Sequence, residues 1–136
     1  MTPYKPLLSL AGLSGGIHAY DAAAAARKDS LHRSGRTFLR LLAADLGLAK
    51  GTFEIRSNLG GIAVSGEVTL HTDRLYVQLS ESFTGRRGVS VRYGNCRGRK
   101  DYGGGENHFA APSALLRHYP DFLARLQMLS EGQVNA

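Results

Sequence analysis

The sequence has no tryptophan, one cysteine, two methionines and four prolines among its 136 residues. A single cysteine, Cys96, excludes an intramolecular disulfide and suits a reducing compartment. No apolar run approaches the roughly 20 residues that cross a bilayer. The start of the chain lacks the uninterrupted apolar stretch of a signal peptide, since Ser9 and Gly12 break Leu7–Leu13. These absences lead us to expect a cytoplasmic protein with no membrane partner. Catalytic signatures are missing too. There is no Walker A loop, no nucleotide-binding GxGxxG after a strand, no GxSxG and no HExxH. The glycines at 103–105 are followed by no Lys-Ser/Thr pair, so they do not make a phosphate-binding loop. We expect no cofactor and no metal, and a binding protein rather than an enzyme.

The most telling absence is local. Residues 85–100 contain no acidic side chain but carry Arg86, Arg87, Arg92, Arg97, Arg99 and Lys100. Nine basic and seven acidic residues precede this segment, and two basic and four acidic residues follow it. The flanks cancel, so the net charge of +6 equals that of this one segment. A sequence pI near 9.8 favours polyanionic partners, with nucleic acid first and an acidic or nucleic-acid-binding protein second. Arginine and lysine neutralise phosphates, and the counterions released make such binding sensitive to salt. Glycines at 94, 98 and 103–105 let backbone N–H groups come close to an anion. Tyr93, Tyr102 and Phe109 are placed to stack on bases.

What is present elsewhere is an ordinary folding pattern, with 43% apolar and 21% charged residues. Residues 1–16, with Pro3, Pro6 and three glycines, predict an irregular leader. A long helix is expected from about Ala19 to Leu46, started near Asp21 and stopped at Gly47. Its buried stripe is Leu31, Phe38, Leu42 and Leu46, with Gly35 as a small gap. Lys28, His32, Arg33, Arg36 and Arg40 form a weaker basic stripe on its other faces. From Gly51 the period changes to two. Four strands follow, over 53–56, 62–71, 75–80 and 89–93, joined by short turns as an antiparallel meander. Alternation sends the Val/Ile/Leu set to a covered face. It leaves Arg56, Glu67, Thr69, His71, Tyr76, Gln78 and Arg92 on an open one. Leu115, Leu116, Tyr119, Phe122, Leu123, Leu126 and Leu129 predict a closing helix, broken or kinked at Pro120. The fold class is therefore α+β, with a single domain over 17–130 and a polar tail over 131–136.

The order helix, meander, helix resembles the layout of a double-stranded-RNA-binding domain. That family has three strands where four are expected here, and Pro112-Ser113-Ala114 stands where its basic motif would begin the last helix. The likeness is one of layout, and no residue is carried over.

The expected site is a nucleic-acid interface with weak sequence preference. Arg86, Arg87, Arg97, Arg99 and Lys100 would contact the DNA or RNA backbone, Tyr93 and Tyr102 would stack, and Arg92 with Arg56 would extend the site over the open face. Two alternatives remain. The basic surface suits a phage- or plasmid-type counter-defence inhibitor that binds another protein. Glu67, His71 and Arg92, with Cys96, suit a small enzyme acting on a nucleotide or phosphodiester. Cys96 with His71 and His108 falls short of a metal site, because zinc takes four ligands at closer spacings.

Overall fold

A computed structural model describes residues 2–82, 88–96 and 107–132. Its elements run α1 (Tyr4–Ala11), α2 (Ala22–Asp45), β1 (Phe53–Asn58), β2 (Glu67–Thr72), β3 (Leu75–Glu81), β4 (Val89–Asn95), β5 (His108–Ala110) and α3 (Pro112–Gly132). The strands pair antiparallel in the order β1-β2-β3-β4-β5, so every neighbour in the sheet is also a neighbour in sequence. The expected α+β meander is present, with one strand more than the four read from sequence. Strand β5 is three residues long and follows a glycine run, and so offers too few alternations to register as a strand.

The leader is not irregular. Pro3 is the N-cap of α1 and Pro6 lies in its first turn, where backbone N–H groups have no intrahelical acceptor. Proline costs little there. Leu7 and Leu10 then enter the core at 0% and 1% exposure, which supplies the reason to be helical.

Helix α2 starts as its sequence demands, with the Asp21 carboxylate accepting a 2.8 Å hydrogen bond from the Ala24 N–H. It ends in a Schellman arrangement, in which Gly47 N–H bonds Ala44 O and Leu48 N–H bonds Ala43 O, each at 3.0 Å. Leu31, Phe38, Leu39 and Leu42 are fully buried against the sheet. Gly35 sits among them, and a Cβ there would come within 3.0 Å of Leu79 and 3.2 Å of Val68. Its missing side chain is what lets the helix lie close on β2 and β3.

Helix α3 leaves helical geometry at His118 (φ −132°, ψ 34°), two residues before Pro120, which has no N–H to continue the ladder. Leu115, Tyr119, Phe122 and Leu126 are buried on the same sheet face as α2. The Tyr119 hydroxyl donates a 2.7 Å hydrogen bond to Asp45, joining the two helices. Burial first, and that bond second, hold the phenol pKa above its usual range.

Two expectations about the β1–β2 region are corrected. Ile62 and Val64 do not open a long strand; they are 63% and 49% exposed in the loop before Glu67. The loop is held by α2 instead. Lys28 Nζ donates to Gly61 O, and His32 Nε2, which must carry the proton opposite a carbonyl, donates to Ser65 O, each at 2.9 Å. Both side chains are therefore buried and leave the basic stripe expected on this helix. Gly66 (φ +70°) packs so tightly that a Cβ would fall 2.2 Å from Asn58 O, so only glycine closes the loop onto β1.

Candidate interface on the open sheet face

The register turns the parity argument into rows. Glu54, His71, Tyr76 and Gly94 lie side by side across four strands. The next row is Arg56, Thr69, Gln78, Arg92 and Phe109, and a third begins with Asn58 and Glu67. The residues read as one open face are thus brought together, but Thr69, His71 and Tyr76 are buried at 7%, 1% and 2% exposure, so the face is open only in part. Helices α2 and α3 pack on the other face, which carries Val68, Leu70, Val77, Leu79, Val91 and Tyr93.

Arg56 and Glu54 pair along β1, with Nε donating to the carboxylate at 2.8 Å, and both side chains remain nearly half exposed. Such a pair adds little stability, but it neutralises the guanidinium locally. Asn58 Nδ2 donates to Glu67 Oε1 at 3.0 Å, and Asn58 Oδ1 accepts from Gly60 N–H at 3.1 Å. Among the described residues, Arg56, Ser57, Asn58, Glu67, Thr69 and His71 line a cleft of about 420 Å³ over β1 and β2. Beside it the His71 and Tyr76 rings stand 6.0 Å apart, and the Arg92 guanidinium lies 5.2 Å from the Tyr76 ring centroid. That cation–π contact orients Arg92. Phe109, cross-strand from Arg92, is 57% exposed.

Of the residues expected to bind, Arg56 and Arg92 are on this face. Tyr93 is on the other. It is 7% exposed, stacked on His108 at 5.3 Å and edge-on to Phe122 at 5.1 Å, so its ring belongs to the core and offers no face to a base. Parity had already put Tyr93 with Val89 and Val91, and the covered face explains its aromatic character. Phe109, also read from sequence as a ring able to stack, is the exposed aromatic of the row, placed there by β5. Arg86, Arg87, Arg97, Arg99, Lys100 and Tyr102 lie outside the described residues.

The basic segment is divided by the sheet. Its first part leaves at Ser82 and rejoins at Gly88, at the end of the sheet where β1 meets β2 through Asn58 and Glu67. Its second part leaves at Cys96 and rejoins at Asn107, at the opposite end, where Cys96 N–H bonds Arg74 O at 3.0 Å. Strand β4, seven residues long, separates the two points by roughly 20 Å.

The catalytic alternatives gain no geometry. Glu67 and His71 are four residues apart on one strand, about 13 Å along its axis, too far for direct proton transfer. Cys96 is buried, its thiol donating to Thr72 O at 3.3 Å. His71 is on the open face, whereas His108 packs on Tyr93 on the covered one. Among the described residues no group of three or more His, Cys, Asp or Glu could hold a metal ion. No described helix is long and apolar enough to cross a membrane. A groove of about 450 Å³ between α1 and α2 is lined by Lys5, Arg33 and hydroxyl side chains, but Arg33 is paired with Asp29 at 2.8 Å. Comparison with protein-family models, curated proteins and solved structures found no match to the chain.

Proposed function

We propose that the protein binds nucleic acid without catalysing its chemistry, using the open sheet face and the basic segments that depart from both ends of β4. The observation that carries this reading is the cross-strand pair Arg92–Phe109. A cation oriented by Tyr76 stands next to an exposed aromatic on a face that α2 and α3 leave uncovered. Phosphate contact and base stacking need that combination side by side. Arg86, Arg87, Arg97, Arg99 and Lys100 extend the positive charge in sequence from this pair, and Tyr102 supplies a second stacking ring. Arg56, paired with Glu54, contributes at the margin.

The test is fluorescence anisotropy with labelled random-sequence oligonucleotides over a salt series. The wild-type protein should bind with an affinity that falls steeply with salt, and Arg97→Glu with Arg99→Glu should weaken binding at least tenfold at low salt. Unchanged affinity in that variant would sink the reading. A protein that ignores every oligonucleotide but co-purifies with one large partner would support inhibition of another protein instead.

A further inference from the structure

The cleft over β1 and β2 is unlike the rest of the proposed interface. Among the described residues Arg56 is its one lining arginine and is paired with Glu54, and Glu67 adds a carboxylate of its own. The three described charges sum to a net negative one, which disfavours a phosphate here. A neutral base is not disfavoured in this way. An ionised carboxylate accepts hydrogen bonds and donates none, so Glu67 selects a group rich in N–H donors. Asn58 holds Glu67 Oε1 at 3.0 Å, and the Gly60 N–H holds Asn58 in turn at 3.1 Å. The tight contact of Gly66 with the Asn58 carbonyl keeps these two strand ends together. The acceptor is thus set in place before any ligand arrives, which lowers the ordering cost of binding. A volume of about 420 Å³ lies in the range of small-molecule sites.

We infer that this cleft takes a single unpaired nucleobase and that Glu67 reads its pairing edge, favouring guanine. Guanine alone among the common bases sets two donor groups, N1–H and the N2 amino group, side by side on that edge, matching the two carboxylate oxygens. Adenine and cytosine present one amino group beside an acceptor, and uracil and thymine present one N–H between two carbonyls. Buried Thr69 and His71 and the half-exposed Arg56 also line the cleft. Single-stranded segments are where such edges become readable. This inference rests on the nucleic-acid reading above.

The experiment measures binding of oligo-dT carrying one central guanine, adenine, cytosine or inosine, for the wild-type protein and for Glu67→Gln. Inosine lacks the N2 amino group. Guanine should bind roughly tenfold or more tighter than the other three, and Glu67→Gln should erase that preference. Glutamine keeps the size of the side chain and an oxygen for Asn58, and a thermal melt checks that the variant is folded. Equal affinity for all four oligonucleotides, with salt-sensitive binding retained, overturns the base pocket and leaves the binding function standing. A guanine preference that survives Glu67→Gln overturns the role of the carboxylate. Failure to bind any of them overturns both readings together.

Discussion

The two faces of one sheet differ in chemistry more than in burial. On the helix side, Val68, Leu70, Val77, Leu79 and Val91 are all at 0% exposure, and their neighbours across the layer are leucines and Phe38. On the other side His71 and Tyr76 are almost as deeply buried, at 1% and 2%, yet both are polar. Among the described residues the Tyr76 hydroxyl has no hydrogen-bond partner, a state that ordinarily costs about 1–3 kcal/mol. The comparison separates a face built for packing from one that keeps polar groups. The covered face is built from residues whose value is apolar contact, whereas the open face keeps polar groups that a stabilising choice would replace.

Substitutions on adjacent strands break or sharpen that contrast. The largest effect is expected from Tyr93→Ala, which empties a site between His108 and Phe122. It should cost about 3–5 kcal/mol in denaturant unfolding and alter nucleic-acid affinity only through lost stability. Phe109→Ala should do the reverse. Stability should stay within about 0.5 kcal/mol, while oligonucleotide affinity falls by roughly 1–3 kcal/mol. If Phe109→Ala unfolds the protein or leaves binding untouched, the division between the faces is drawn wrongly. The smallest effect concerns Tyr119→Phe, which removes the hydrogen bond to Asp45 and should cost about 1 kcal/mol at neutral pH. Its phenol is held above the usual range, so the folded state favours the protonated form. That contribution is fully present below about pH 10, the unfolded value, and is lost as pH rises beyond it. Denaturation midpoints should therefore fall more steeply above pH 10 in the wild type than in Tyr119→Phe.

Much of the architecture was legible because it rests on periodicity. Alternation over β1 to β4 and the 3–4 spacing of α2 are direct records of which side is buried. The cap at Asp21, the stop at Gly47 and the interruption ahead of Pro120 follow from local backbone chemistry and needed no tertiary information. What stayed hidden was set by tertiary context. Pro6 reads as a helix breaker until its position in the first turn is known. Ile62 and Val64 keep a strand's alternation, but Lys28 and His32 bond the neighbouring carbonyls and hold them in a loop. The basic segment is continuous in sequence, and only the direction of β4 reveals that its two parts leave the sheet at opposite ends. Tyr93 lies in the basic segment, but its alternation with Val89 and Val91 puts it on the covered face, and there the structure has it at 7% exposure.

The uninterrupted meander also governs the order in which the molecule can assemble. Each strand finds its partner across a short connection, so the sheet can zip up hairpin by hairpin at small loop-closure cost. Helix α1 faces a different problem, because it packs on α3, whose sequence lies roughly a hundred residues away. It docks once both are formed, and it can also leave first without disturbing a single strand pair. Native-state hydrogen exchange should find the amides of Tyr4–Ala11 opening at lower denaturant than those of β2 and β3. Identical protection in all of them would mean that helix and sheet form one cooperative unit. Earlier opening of α1 would make its leucines a latch on the helical layer, fastened last and released first.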